Sequence, residues 1–137
     1  MTRVLFLCVH NSARSQMAEG MLRAWGGDRY EAASAGSVAT DVRPLAIRAM
    51  AEIGIDIAGQ TSKTTDVFAR QSFDYAITVC DESREACPYF PGASTQLHWA
   101  FDDPSSATGT EEERLEVFRR VRDEIAARIR SELLGAG

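Results

Sequence analysis

The sequence predicts an α/β fold of three layers, a central four-stranded parallel sheet with helices on both faces. Strand-like and helix-like segments alternate along the chain. Each strand-like run is short and apolar or β-branched, the pattern of strands covered on both sides. The longer helix-like runs carry apolar stripes. At 137 residues and 45% hydrophobic, the chain reads as one domain, 1–137, with a single sizeable core.

The elements follow in order. Residues 4–8 read as a buried strand. Residues 15–25 read as a helix with Met17, Met21, Leu22 and Trp25 on one face, stopped by Gly26 and Gly27. A second strand spans 30–35. Pro44 opens a helix carrying Ile47, Met50 and Ile53, which ends at Gly54. A short helix is expected over 65–71, a strand over 73–80 (FDYAITVC) and another over 95–99. Thr110 caps the last helix, with Glu113 at the capping-box position. Its stripe runs through Leu115, Phe118, Val121, Ile125, Ile129 and Leu133, and Gly135 ends it.

A net charge of −5 argues against broad attraction to nucleic acid or anionic membrane. The N-terminus enters a strand-like run directly, without a secretory apolar segment, so a cytoplasmic location is expected. Three cysteines there point to metal, catalysis or redox work rather than to a disulfide framework. Metal is the weakest of these, because the spacings are not zinc-like and His10 and His98 are the only histidines. No metal or cofactor is expected.

In parallel sheets, ligands bind at the carboxyl ends of the strands. Cys8 and Cys80 each stand at such an end. The stretch CVHNSARS (8–15) then runs from a strand into a helix. Backbone N–H groups of such a turn converge into an anion nest, and the helix N-terminus adds positive potential. Arg14 can add a planar fork for two oxygens. The same field favours a Cys8 thiolate, to which Ser15 can donate a hydrogen bond. Ser12 and Ala13 are small enough for a tight loop. These residues suit attack by sulfur on the central atom of a tetrahedral oxyanion. C-x5-R alone is a weak signal. On residues alone, an inert buried Cys8 and an ordinary ion pair at Arg14 stay open.

CVHNSARSQMAEG (8–20) resembles the active-site loop of the low-molecular-weight protein tyrosine phosphatases, and more closely that of the thioredoxin-coupled arsenate reductases on the same fold. SAG (34–36), GIDI (54–57), VCDESREACP (79–88), HWAFDDP (98–104) and RVRDEI (120–125) extend the resemblance over nearly the whole chain. It implies that Cys8 is the nucleophile. It implies that the loop of Val9, His10, Asn11, Ser12, Ala13 and Arg14 holds arsenate, with phosphate or sulfate as analogues. Asp103 matches the general acid, whereas Asp102 reads as a solvated or turn-forming carboxylate. His10 is expected to lend only its backbone, and His98 and Trp99 to pack.

A phosphatase needs one cysteine, but reducing arsenate takes two electrons from thiols. The resemblance implies that Cys80 resolves the Cys8 adduct, that Cys87 then attacks Cys80, and that thioredoxin reduces the resulting bond. Helical residues seven apart are separated by about 10.5 Å, whereas a disulfide spans about 4.4–6.8 Å between Cα atoms. If 81–86 (DESREA) is helical when reduced, it must unwind on oxidation. Two unrelated surface cysteines are the plainer alternative. Some relatives bind potassium beside the loop, through positions matching Asn11, Glu19, Ser34 and an aspartate. That last position is Lys63 here, the only lysine in the chain. Either its ammonium replaces the ion or it is an ordinary surface residue. The expected activity is a monomeric, thioredoxin-dependent arsenate reductase. A low-molecular-weight phosphatase is the alternative, and a non-enzymatic redox or anion sensor is a third reading. The tyrosine pair that such phosphatases often carry after Asp-Pro is missing.

Overall fold

The structure is a computed structural model that describes residues 1–81 and 85–135. Its sheet has four parallel strands: β1 (Thr2–Cys8), β2 (Tyr30–Gly36), β3 (Phe73–Thr78) and β4 (Ala93–His98). Their order is β2-β1-β3-β4. The chain therefore leaves β1 first to one side and later returns on the other. That reversal opens a crevice at the carboxyl end of β1, where Cys8 stands.

The alternation of β1 divides the core. Val4 and Phe6 face a cluster with Met17 and Met21 of α1 (Arg14–Gly26), Met50 of α2 (Pro44–Ala51), and Phe118 and Ile125 of α3 (Glu111–Ile129). Leu5 and Leu7 face a second cluster with Ala76, Phe73 and Phe90. Phe68 meets Phe73 edge-on at 5.6 Å, and Phe73 meets Phe90 at 5.7 Å. The layer on this second face is thin. Where a short helix is expected over 65–71, the chain makes one 3₁₀ turn, Thr65–Phe68.

The last helix follows its sequence. Thr110 and Glu113 form the reciprocal capping box, and all six stripe residues are buried. The helix widens into a π turn over Arg130–Leu134, and Gly135 closes it at φ 59°. Elsewhere the structure departs from the pattern. The buried face of α2 is Leu45, Ala46, Ala49 and Met50, while Ile53 lies beyond the helix and is exposed. The helix stops at Ala51, so Ile53 falls outside the face it was expected to extend. β4 is an edge strand, and His98, expected to pack, is exposed, whereas Trp99 is buried.

Glu52, just past α2, ties the two helices together. Arg119 donates to it from Nε (2.9 Å) and Nη2 (2.7 Å), and Arg122 from Nη1 (2.9 Å). The Arg119 bonds first, then those of Arg122, hold the Glu52 carboxyl down at about 2. An unfolded glutamate titrates near ~4.3. The stabilisation is therefore fully present above that pH and is lost as pH falls through about 2. The side chain is 37% exposed, so solvent screening keeps the contribution under about 1 kcal/mol. Glu52→Gln is expected to destabilise the protein by that amount in denaturant unfolding at pH 7. The gap between the two proteins should close near pH 2.

Candidate active site

The loop between β1 and α1 is tied down through its carbonyls. Val38 N–H donates to Val9 (3.0 Å), Ser62 Oγ to His10 (3.0 Å), Gln16 Nε2 to Asn11 (3.0 Å) and Arg43 N–H to Ser12 (2.9 Å). A trans peptide points its N–H opposite its C=O. The N–H groups of His10, Asn11, Ser12 and Ala13 therefore turn toward the inner side of the loop. Ala13 caps α1 without a side-chain hydrogen bond, and the first turn holds no acidic residue. The helix thus presents its N-terminal amides and positive potential to the same side.

Two residues make this curvature possible. Asn11 has φ 49°, a region asparagine tolerates through local hydrogen bonds. Its Nδ2 donates to Ser15 Oγ (2.8 Å) and Ser34 Oγ (2.9 Å), and its Oδ1 accepts from Lys63 N–H (3.0 Å). Gly36 ends β2 directly beneath the loop. A Cβ there would lie 2.7 Å from the Val9 oxygen, 2.8 Å from the Cys8 oxygen and 2.9 Å from the Asn11 nitrogen.

Cys8 is a free thiol, 3% exposed. Burial pushes it up from the usual thiol range, while the Arg14 charge and the Val9 N–H pull the other way. Glu85 and Asp103 add to the rise. Arg14 is 2% exposed. It donates through Nη1 to Glu85 Oε2 (2.8 Å) and through Nη2 to Glu85 Oε1 (2.7 Å). Nη1 also donates to the Phe101 carbonyl (3.1 Å), and Asp103 Oδ2 lies 3.8 Å from Nη2. Arg14 Nε is buried with no partner among the described residues. Asp103 accepts from Ser105 N–H (2.9 Å), starting the 3₁₀ turn Pro104–Ser106. Asp102 is exposed and pairs with Arg120 at 3.2 Å.

The second pair of sulfurs lies at the same end of the sheet. β3 stops at Thr78, two residues before the expected strand end, yet Val79 N–H still donates to the Leu7 carbonyl (2.8 Å). Cys80 follows, wholly buried. It forms a disulfide with Cys87, with Cα atoms 6.2 Å apart. Cys87 is only partly buried. The expected unwinding of 81–86 falls in part on 82–84, which lie outside the described residues.

The chain belongs to the low molecular weight phosphotyrosine protein phosphatase family. The family's model matches residues 3–134. An arsenate reductase from Halalkalibacterium halodurans is 49% identical over 128 residues, covering 93% of this chain and 92% of that protein. A solved arsenate reductase in its phosphate-binding state superposes with a TM-score of 0.80 at 35% identity, covering 94% of each chain. A thioredoxin-dependent arsenate reductase from Corynebacterium glutamicum gives a TM-score of 0.60 at 32% identity, over 93% of this chain and 61% of that one.

Potassium does not fit the cluster beside the loop. Ser34 Oγ donates to Glu19 Oε1 (2.6 Å), and Arg23 pairs with the other Glu19 oxygen. Lys63 Nζ lies 3.9 Å from Glu19 and donates to the Thr61 carbonyl (2.7 Å). Two cations already neutralise the one carboxylate. Sequence reasoning also missed Glu85 and Gln16, since neither stands out in any local pattern and each acts across the fold.

Gly36→Ala is expected to destabilise the protein by about 1–3 kcal/mol in denaturant unfolding, because only backbone can yield there. Gly59→Ala, where a Cβ meets open space, should leave stability unchanged.

Proposed function

We propose that this protein reduces arsenate to arsenite by a relay of three thiols, with thioredoxin as dithiol donor, as a cytoplasmic monomer. The observation that carries the reading is the meeting of Cys8, a buried Arg14 and the Cys80–Cys87 disulfide at one end of β1 and β3. The arsenate reductases among its relatives support it.

Val9, His10, Asn11, Ser12 and Ala13 hold the oxyanion through backbone N–H groups, and Arg14 through its guanidinium. The Cys8 thiolate attacks arsenic, and Asp103 protonates the oxygen that departs as water. Ser15, held by Asn11, steadies the sulfur as thiolate. Cys80 as thiolate then attacks the Cys8 sulfur. The sulfur–arsenic bond breaks with its electron pair going to arsenic, which leaves as arsenite. Cys87 attacks Cys80 and frees Cys8, leaving the Cys80–Cys87 bond. Thioredoxin supplies two electrons to that bond and becomes a disulfide itself. It attacks at Cys87, because Cys80 is fully buried. Burial pushes the Cys8 thiol up, and the Arg14 charge and the Val9 N–H favour the thiolate against it.

Phosphoester hydrolysis should appear as a weak side reaction, since loop and acid serve both chemistries. Arsenate, thioredoxin, thioredoxin reductase and NADPH test the relay. Sustained NADPH oxidation is expected in the wild type. Cys8→Ser, Cys80→Ser and Cys87→Ser should each lower turnover by at least about a thousandfold, as loss of a nucleophile does. Turnover that survives Cys87→Ser would refute the third step. Phosphoester hydrolysis by the wild type without NADPH oxidation would make the protein a phosphatase.

A further inference from the structure

Glu85 holds Arg14 as a bound oxyanion would. Its two carboxylate oxygens take both terminal nitrogens of a guanidinium that is 2% exposed, at 2.8 and 2.7 Å. Glu85 thus takes both terminal nitrogens, and the other bidentate edge, Nε with one terminal nitrogen, shares one of them and the same charge. A third bond, from Asp81 N–H to Glu85 Oε2 (2.7 Å), fixes the carboxylate from the other side. Glu85 lies two residues before Cys87, so its reach to Arg14 is set while the disulfide holds Cys87 against Cys80. Glu85 also borders a cleft of about 370 Å³, shared with Asp81, Asp103 and Arg120, which has room for the carboxylate once it leaves.

We propose that Glu85 is a redox-linked internal occupant of the oxyanion seat, closing Arg14 to oxyanions while the Cys80–Cys87 disulfide is intact. The proposal rests on the reading of the 8–14 loop and Arg14 as an oxyanion seat. It adds an order of events to that reading. In the oxidised protein Cys8 is a free thiol, but neither resolving thiol is available. An arsenate bound then would form an adduct that nothing can reduce. With Glu85 on Arg14, arsenate is refused until the disulfide opens. Opening consumes a dithiol: one sulfur–sulfur bond breaks, Cys80 and Cys87 become thiols, and the dithiol becomes a disulfide. The carboxylate then leaves Arg14 by a non-covalent exchange with the incoming anion.

Titration calorimetry with inorganic phosphate tests this, on protein oxidised at Cys80–Cys87 (verified by mass spectrometry) and on protein reduced with dithiothreitol. The oxidised wild type is expected to bind phosphate at least about tenfold more weakly than the reduced wild type, the scale of a charge-assisted hydrogen bond. Oxidised Glu85→Ala should bind within about threefold of the reduced wild type, since the competing anion is gone. Glu85→Gln, which keeps the size and loses the charge, should move binding in the same direction and guards against a folding defect in the alanine variant. Equal binding by oxidised and reduced wild type would overturn the proposal. So would oxidised variants that stay as weak as oxidised wild type while their reduced forms bind. If reduced wild type and reduced variants all fail to bind phosphate and arsenate, the seat itself is wrong and the proposal falls with it.

Discussion

A permanently charged guanidinium buried to 2% exposure governs this end of the molecule. Arg14 cannot shed its proton, so an anion must always accompany it. Three candidates lie within reach: the Cys8 sulfur, the carboxylates of Glu85 and Asp103, and any oxyanion in the loop. Each makes the others less favourable. Glu85 and Asp103 raise the Cys8 thiol, whereas Arg14 lowers it. The pull of Arg14 on the Cys8 sulfur thus competes with the anions around it. Among the described residues Arg14 Nε has no partner, so one carboxylate does not fully satisfy the guanidinium.

That demand is met only because the loop is held rigid from outside. Its carbonyls are fastened to residues from 16, 38, 43 and 62, and Asn11 links Ser15 to Ser34. Behind Ser34, Glu19 is neutralised by Arg23 and Lys63. A carboxylate left unpaired there, 4% exposed, would be costly. Arg23 supplies the hydrogen-bonded partner there, with the Lys63 ammonium 3.9 Å away. Gly36 sets the closeness of the whole arrangement, because backbone atoms of three loop residues occupy the space a side chain would need.

Much of this was legible in the sequence, for local reasons. Alternating strands and helices, the capping box at Thr110 and the α3 stripe depend on short-range periodicity. The turn from Cys8 to Arg14 is legible because strand, turn and helix are contiguous. What was illegible is long-range or lies at element ends. α2 ends at Ala51, short of Gly54, so Ile53 lies past the helix and is exposed. β4 is exposed because of its place at the sheet edge, which no pattern within 95–99 reveals. Glu85 reads as one charge in a polar spacer, and its partner is 71 positions away.

These limits share a physical origin. Periodicity reports which side of an element faces the core, but a buried charge is answered by whichever opposite charge the fold delivers. Here the delivery depends on a covalent bond. Between two thiols, 80 and 87 are free to separate to the spacing their backbone prefers. Joined, they are held with Cα atoms 6.2 Å apart, and the residue two before Cys87 is carried with it. The electron count of the sulfurs and the charge balance at Arg14 are therefore not independent quantities. A chain that stores two oxidising equivalents in Cys80–Cys87 also changes which anion its buried guanidinium can accept. Glu85 takes both terminal nitrogens of that arginine, so an oxyanion must compete with it for the same charge.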